Sequence, residues 1–187
     1  MKTVFTTAPL IFLTDYASYN NGTQFEFGHW VTLSEFSDAD EFLEYIKKHF
    51  ERADNESPLD SPREEIMFTD FEGFPSCLYS ESMSKTELEN LFEWINLHEY
   101  DKPKVMFLLE QGQGFQRAIN HYEDLFMEED NGMKTYYELF DTYYPELERA
   151  EQLCPYLEIN YERFIRENFE KFEYEGTRYL VSNDWNY

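Results

Sequence analysis

The chain has 187 residues, of which 39 are Asp or Glu and 15 are Lys or Arg, so its formal charge is -24. Disordered acidic chains are poor in aromatic residues, whereas this chain contains 18 Phe, 15 Tyr and 3 Trp, and we therefore expect it to fold. No apolar run approaches the roughly 20 residues that span a bilayer, and anionic lipids repel so acidic a surface, which excludes a membrane role.

The first third of the chain predicts mixed α and β structure. LIFLT (10–14) and FEFGHWV (25–31) have the composition of strands, and YNNG between them predicts a turn. EIMFTDF (65–71) predicts a third strand. These segments favour a small N-terminal sheet.

A helix is predicted between the second and third strands. Ser37 is its expected cap, with Asp40 three residues later. Its apolar face repeats at helical spacing and comprises Ala39, Phe42, Leu43, Ile46 and Phe50. Residues 53–64 are rich in Ser, Pro, Asp and Asn, so we expect a mobile connection without core residues.

From Ser84 onward the pattern is helical. Ser84 and Glu87 form a capping-box signature, followed by an apolar stripe of Leu88, Leu91, Phe92 and Ile95. VMFLLE predicts a further helix that ends at the glycines of QGQG. The next stripe predicts a helix ending near Asn131-Gly132 and comprises Phe115, Ala118, Ile119, Tyr122 and Leu125.

Residues 135–153 predict another helix, with Pro145 either kinking it or starting a new one. A last helix is expected near residues 160–171, followed by a short closing strand at TRYLVSN. The predicted class is α+β. Charge repulsion favours an elongated molecule of three small lobes, namely an α+β lobe over residues 1–80, a helical middle lobe over 81–126 and an α+β lobe over 127–187.

The negative charge is unevenly placed along the chain. Residues 81–101 hold six acids and one base, and residues 122–151 hold ten acids and two bases. Residues 102–121 reverse this balance, with Lys102, Lys104 and Arg117 against Glu110 alone. Such placement is unlike the uniform acidity of a halophile. A solvated face kept for solubility explains any single pair of acids, but not the repetition.

Charge pairing also differs between helices. In the last predicted helix, Glu162 with Arg166 and Glu167 with Lys171 are i,i+4 pairs of opposite sign. Glu89 with Glu93, and Asp124 with Glu128, instead place like charges at that spacing. Each like-charge pair costs about 0.2 to 0.5 kcal/mol in an isolated helix.

Metal chemistry is poorly supported by the sequence. Aligning Gly132 with the glycine of an EF-hand loop places Met127 at the first ligand position, where a hard cation requires an oxygen. The four histidines form no HExxH motif, and Cys77 and Cys154 form no CxxC motif. The start of the chain lacks the apolar core of a signal peptide. We therefore expect a cytoplasmic protein with no metal and no cofactor.

An enzyme is not expected, because no Ser, Cys or His is singled out as a nucleophile or base. The glycines of QGQGFQR match neither a dinucleotide fingerprint nor a P-loop. A hydrolase using a pair of carboxylates stays open as an alternative, since 39 acids supply many pairs. An acidic module that binds another basic DNA-binding protein is a second alternative.

Mimicry of nucleic acid fits the charge better. Carboxylates on rigid elements can occupy the positions that phosphates take in a basic protein groove. Duplex DNA carries about one charge per 1.7 Å of axis, so -24 corresponds to roughly 40 Å of duplex and a dimer to roughly 80 Å. That length is enough to fill a large DNA-binding cleft.

Several motifs, spread from Leu10 to Asn183, carry a family resemblance. The chain opens with IFLTDYASYNNG and GHW and continues with FTDFEGFP (68–75), in which Phe71 stands where the family has Tyr. The next segment is FLLEQGQGFQRAINHYEDLF (107–126). It closes with YLEINYERFIRENFEKFEYEGTRYLV (156–181). In order and spacing these segments resemble those of ArdA-type antirestriction proteins. A Pro-containing connection near residues 55–62 and the terminal SNDWNY depart from the pattern.

The resemblance implies an elongated, curved homodimer that mimics bent B-form DNA and occupies the DNA site of type I restriction-modification enzymes. The implied partner is their methyltransferase core, which restriction and modification share, and no direct binding to nucleic acid is implied. Such proteins are typically carried by plasmids and conjugative transposons, mobile elements whose incoming DNA they protect.

The candidate residues form two sets. The expected phosphate-mimicking acids are Asp38, Asp40, Glu41, Glu44, Asp70, Glu72, Glu81, Glu87, Glu89, Glu93, Glu123, Asp124, Glu128, Glu129, Asp130, Glu138, Asp141, Glu146 and Glu148. The resemblance places an antirestriction motif or dimer contact at Leu108, Leu109, Glu110, Gly112, Phe115 and Ala118. The apolar VMFLL in this region is equally consistent with core packing within one chain.

Overall fold

A computed structural model describes residues 8–128, 133–146, 159–174 and 176–183. The fold is α+β, as the sequence predicts. The described residues divide into two compact units: an N-terminal unit that ends at His98 and a C-terminal unit that begins at Glu99. The division into lobes 1–80, 81–126 and 127–187, and the elongated shape, stay predictions.

The N-terminal unit is built on a three-stranded antiparallel sheet with the order β2-β1-β3. Its strands are β1 (Leu10–Asp15), β2 (His29–Thr32) and β3 (Ile66–Glu72). The inner face of the sheet carries apolar side chains that are buried, namely Ile11, Leu13, Val31 and Phe68. The first and third predicted strands are therefore confirmed to within a residue or two.

A bulge interrupts the pairing of β1 with β3. Phe12 pairs with Asp70, but the next residue, Leu13, pairs with Phe68, which leaves Thr69 as an extra residue on β3. An extra residue shifts the in-and-out alternation of a strand by one position. As a result Thr69 and Asp70 are both exposed, while Phe68 is buried.

The predicted strand over residues 25–31 is wrong in its first half. Two short helices, α1 (Tyr16–Asn20) and α2 (Gln24–Phe27), follow β1. The predicted turn lies between them, where Gly22 has φ 70°. Helix α2 is stabilised by the Gly28 amide and the Thr14 hydroxyl, which both donate to the Gln24 carbonyl. Tertiary contacts thus override the strand propensity of the aromatic residues.

Helix α3 (Ala39–Glu56) lies on the inner face of the sheet, where Phe42 stacks on Phe68 at 6.1 Å between ring centroids. Four of the five predicted apolar positions are buried, and Leu43 is half-buried. The predicted cap is wrong by one residue. Asp38 caps the helix by accepting from the Glu41 amide at 2.9 Å, and Ser37 instead donates to the Glu41 carboxylate.

The stretch 53–64 is not the coreless connection that its composition suggests. Helix α3 continues through Glu56, and the Arg63 side chain is completely buried. Its guanidinium contacts Asp54 at 2.7 Å and Asp15 at 3.8 Å, donates to the Ser18 hydroxyl at 3.0 Å, and lies 5.0 Å from the centre of the Phe27 ring. The buried Asp15 carboxylate needs this cation, and the half-buried Asp54 also pairs with it, so the loop is tied down.

Helix α4 (Lys85–Asn96) completes the N-terminal unit. The predicted capping box is confirmed: the Glu87 amide donates to the Ser84 hydroxyl, and the Ser84 amide donates to the Glu87 carboxylate at 2.7 Å. Leu88, Leu91 and Phe92 are buried and Ile95 is half-buried, while Trp94 is also buried although it lies outside the predicted stripe.

The C-terminal unit begins with helices α5 (Lys102–Glu110) and α6 (Phe115–His121). Gly112, with φ 81°, follows the end of α5, as the glycines predict. The sequence predicts that the second of these helices continues to residues 131–132. This prediction is wrong for residues 122–128, which form other structure. A 3-10 turn and strand β4 (Leu125–Glu128) follow α6, because β4 pairs with β6, whose residues lie 50 to 56 positions later in the chain.

Among the described residues, β6 (Thr177–Ser182) is preceded by α7 (Met133–Tyr143), α8 (Tyr161–Asn168) and β5 (Phe169–Tyr174). Helix α7 ends before Pro145, and the rest of the predicted helix, residues 147–153, lies outside the described residues. The last helix ends at Asn168 rather than near residue 171, because β5 pairs with β6. The closing strand is confirmed.

Charge pairing in the last helix differs from the prediction. Glu167 pairs with Arg163 at 2.7 Å, one helical turn earlier. Lys171 lies in β5, where its ammonium group contacts the Tyr136 hydroxyl and lies 4.8 Å from the centre of the Tyr136 ring. Helical spacing therefore does not apply to Glu167 and Lys171.

The C-terminal sheet has the order β4-β6-β5 and is antiparallel. Leu180 of β6 belongs to a core on one face with Tyr136, Leu139, Phe140, Phe164, Ile165 and Phe169. The neighbouring Tyr179 stacks on Phe107 of α5 at 5.8 Å, and Phe172 also contacts Phe107. Helices therefore cover both faces, and three consecutive β6 residues, Tyr179, Leu180 and Val181, are buried.

Candidate functional site

The predicted phosphate-mimicking acids lie on the surface. Fifteen of the nineteen have described side chains and all fifteen are exposed: Asp38, Asp40, Glu41, Glu44, Asp70, Glu72, Glu81, Glu87, Glu89, Glu93, Glu123, Asp124, Glu138, Asp141 and Glu146. The backbone of Glu128 lies in β4, and its side chain and residues Glu129, Asp130 and Glu148 lie outside the described residues. None of these fifteen carboxylates is therefore buried in the core.

Four of these acids also stabilise helix N-termini. Asp38 and Glu41 do so at α3, and Glu87 at α4, where the N-terminal dipole favours negative charge. The Ser37 amide, and then its hydroxyl, lower the pKa of Glu41 by donating to the carboxylate. The Ser84 hydroxyl and amide lower the pKa of Glu87 likewise. Asp40 completes the set in the first turn of α3. Glu41 and Glu87 are accordingly held in their charged form.

Ion pairs offset only part of the negative charge. Lys85 lies 2.6 Å from Asp40 and 3.7 Å from Glu89, and Lys48 lies 2.7 Å from Glu44. Exposed pairs of this kind contribute about 0 to 1 kcal/mol and leave the carboxylates in contact with water. Residues 1–98 contain 19 acids and 6 bases, a net charge of -13, and residues 99–187 contain 20 and 9, a net charge of -11. Both halves of the sequence are therefore strongly acidic.

The spacing of the acids follows from their secondary structure. Glu89 and Glu93 are four residues apart on α4, which places them about 6 Å apart along the helix axis. Asp70 and Glu72 are two residues apart on β3, which corresponds to about 6.7 Å along the strand. Every second phosphate on one strand of B-form DNA recurs at about 6.8 Å along the duplex axis. Regular elements thus provide an anionic repeat of comparable length.

The residues of the resemblance motif contribute mainly to packing within the chain. Leu108 and Ala118 are fully buried, and Leu109 and Phe115 are half-buried. Glu110 and Gly112 lie between these residues in the sequence, and both are exposed. Lys102 pairs with Glu99 and Lys104 with Asp101, so these two bases have local partners. A role in a dimer contact stays a prediction.

A histidine pair that the sequence did not single out lies beside a surface groove of about 620 Å³. The His29 and His49 rings are 4.5 Å apart, and each has a ring nitrogen within 3.0 Å of the Phe27 carbonyl. The other His29 nitrogen lies 2.6 Å from the Tyr45 hydroxyl. These contacts hold the end of α2 against α3. Burial, the largest cause, lowers the pKa of His49 and raises that of Tyr45.

Two other classes of site do not occur among the described residues. Within the described ranges, no three His, Cys, Asp or Glu side chains converge in an arrangement that could hold a metal ion. A helix both long and apolar enough to cross a membrane does not occur in the part of the chain that the structure describes.

The fold and the surface define a small acidic α+β protein whose predicted anionic groups, where described, face the solvent. A family model described as antirestriction protein (ArdA) matches residues 11–182. The chain therefore belongs to the ArdA antirestriction family. Neither the curated proteins nor the solved structures contain a match to it.

Proposed function

We propose that this protein inhibits type I restriction-modification enzymes by presenting carboxylates in place of DNA phosphates and occupying the DNA-binding groove. Family membership supports the antirestriction role and its type I target. The observation that carries the mimicry is the exposure of all fifteen described candidate acids. These acids occur in both compact units, as an extended phosphate-like surface requires.

The mechanism is competition rather than catalysis. A basic groove that binds the protein cannot bind duplex DNA at the same time, so the inhibitor needs no cofactor and no reacting group. Steering between opposite charges accelerates association and weakens as salt screens both partners. We expect inhibition at roughly 50 mM salt to be much stronger than at roughly 200 mM salt.

The biological setting follows from the same proposal. The partner is the methyltransferase core of the restriction enzyme, and the inhibitor acts in the cytoplasm as a homodimer. A gene for such an inhibitor benefits mobile DNA that enters a restricting host. If the occupied groove serves both activities, modification is blocked together with restriction.

The test is displacement of a labelled duplex from a purified methyltransferase core. One variant neutralises five exposed candidate acids, Glu72, Glu81, Glu93, Asp141 and Glu146, by Gln or Asn substitution. A matched control neutralises five exposed acids outside the candidate set, Glu35, Glu51, Glu64, Glu162 and Glu170. Both variants change the net charge equally, so only the placement of charge differs.

We expect the first variant to lose about tenfold or more in affinity, and the control to lose less, because several small electrostatic contributions add up. Equal losses would show that total charge rather than placed charge decides binding. Failure of the wild-type protein to displace DNA at low salt would refute the proposal. A complete loss from one carboxylate, with the fold intact, would favour an active site instead.

A further inference from the structure

The outer face of the N-terminal sheet carries an aromatic cluster. Phe12 of β1 contacts Trp30 of β2 and Phe25 of α2, edge to face, with ring centroids 5.6 and 6.0 Å apart. Phe25 is 75% exposed and Trp30 42% exposed. We call Phe12, Phe25 and Trp30 the aromatic face.

The strand register places this face beside carboxylates. Phe12 lies between Trp30 on one side and Asp70 on the other, so these three residues form a row across the sheet. The next row consists of Thr32, Leu10 and Glu72. Neighbouring strands are about 4.8 Å apart, so Asp70 lies roughly 10 Å across the sheet from Trp30. Aromatic rings and carboxylates thus form one continuous surface.

The aromatic face is held in place by the backbone beneath it. A Cβ atom added at Gly28 would lie 2.1 Å from the Gln24 carbonyl oxygen and 3.1 Å from the Phe12 ring. Glycine therefore allows β2 to begin directly after α2, with Phe12 packed against it. Because the rings are already positioned, a partner that binds them loses little conformational freedom.

Exposed rings that lie together offer a large apolar area to a binding partner. Burying an aromatic side chain removes roughly 150 to 250 Å² from water, and Trp residues are enriched among the side chains that dominate binding energies. An aromatic face beside carboxylates matches one side chain especially well. A guanidinium group stacks on aromatic rings and pairs with carboxylates, whereas an ammonium group is more strongly hydrated and lacks a planar surface.

We propose that the aromatic face, with Asp70 and Glu72, is a docking site for an arginine-bearing segment of the target enzyme's DNA-binding groove. This inference rests on the proposed function, because that function supplies a basic partner. Charge complementarity selects the occupant. The carboxylates of Asp70 and Glu72 attract cations, and the aromatic rings favour a guanidinium group over an ammonium group. The aromatic face then provides affinity that salt does not screen.

The test measures affinity for the methyltransferase core as a function of salt concentration. The double variant Phe25→Ala/Trp30→Ala should bind about 30-fold more weakly at both roughly 50 and 200 mM salt, leaving the salt dependence unchanged. Asp70→Asn/Glu72→Gln should instead make the salt dependence shallower. Tyr100→Ala, which removes another exposed ring (72% exposed), is the matched control and should bind like the wild type.

If the double variant is unstable, Phe25→Ala alone serves as the test, because the Phe25 ring lies mostly outside the core. Trp30→Phe should restore most of the affinity. If the wild type binds and the double variant binds as well as Tyr100→Ala does, this inference is overturned and the proposed function stays intact. No binding by the wild type would overturn both. A change from dimer to monomer in sedimentation would identify a second copy as the occupant and also overturn it.

Discussion

The two sheets of this protein have the same size and the same antiparallel pairing, but their central strands face different surroundings. In the C-terminal sheet both faces of β6 are covered, so Tyr179, Leu180 and Val181 are all buried. In the N-terminal sheet α3 covers one face of β1, and the opposite face carries the exposed Trp30 beside Phe12. Aromatic residues in the strands of the N-terminal sheet are therefore core on its inner face, as Phe68 is, and available surface on its outer face, as Trp30 is.

The largest expected effect comes from the covered sheet. Leu180→Ala should lower the free energy of unfolding of the C-terminal unit by about 3 to 5 kcal/mol, because it leaves a cavity in a fully packed core. Trp30→Ala should cost about 1 kcal/mol or less, because its ring is partly in water. Denaturant unfolding, with hydrogen exchange read separately over each unit, measures both. Similar costs would refute the contrast between the sheets.

The next effect concerns the buried cation that ties the loop after α3 to the N-terminal sheet. Arg63→Met should destabilise this unit by about 3 kcal/mol, because Asp15 would stay buried without its counter-charge. Arg52→Met is the control, since it removes an exposed pair with Glu56 at 3.7 Å and should change stability by about 0.5 kcal/mol or less. Equal thermal shifts in the two variants would contradict this interpretation of Arg63.

A smaller effect is expected at the start of α4. Ser84→Ala removes the hydroxyl that accepts from the Glu87 amide, and should cost about 1 kcal/mol. Thr86→Ala, two residues further into the helix, leaves the cap intact and should cost less. Urea denaturation of the two variants provides the comparison. The capping box has no role in stability if Ser84→Ala unfolds at the wild-type midpoint.

The smallest effect is a pH dependence of the N-terminal unit. The pKa of His49 is lowered on folding, so below about pH 6.5 the unfolded chain binds a proton that the folded chain resists. Stability should therefore fall slightly as the pH drops from about 7 to about 5.5. His49→Gln should remove this part of the slope. An unchanged slope in that variant would assign the pH dependence to other groups.

Local sequence patterns predicted the elements that local interactions determine. The capping box at Ser84, the apolar stripe of α3 and the strand at residues 10–14 are confirmed because neighbouring residues decide them. The predictions for residues 25–27 and 125–128 are wrong, since the hydrogen bond from Thr14 and the pairing with β6 involve residues distant in sequence. Distant contacts of this kind leave no periodic signal.

The candidate surface was predictable to a similar extent. Charge alone predicts that acids lie outside, because burying an unpaired carboxylate is costly. The aromatic face was missed because Phe12 and Trp30 look like core residues in a hydrophobic strand. Their outward direction depends on the pairing register, and Phe25 depends on a helix that the sequence did not predict.

The bulge at Thr69 determines which side chains of β3 point to the outer face of the sheet, and therefore the charge of that face. If β3 kept the same sequence but paired without the bulge, the alternation that buries Phe68 would direct Asp70 and Glu72 toward α3, and Phe71 would replace them on the outside. The bulge thus reverses the phase of the second half of β3 and exchanges an aromatic surface for an anionic one. At this edge of the sheet, the pairing of the backbone determines the electrostatic potential as strongly as the choice of side chains.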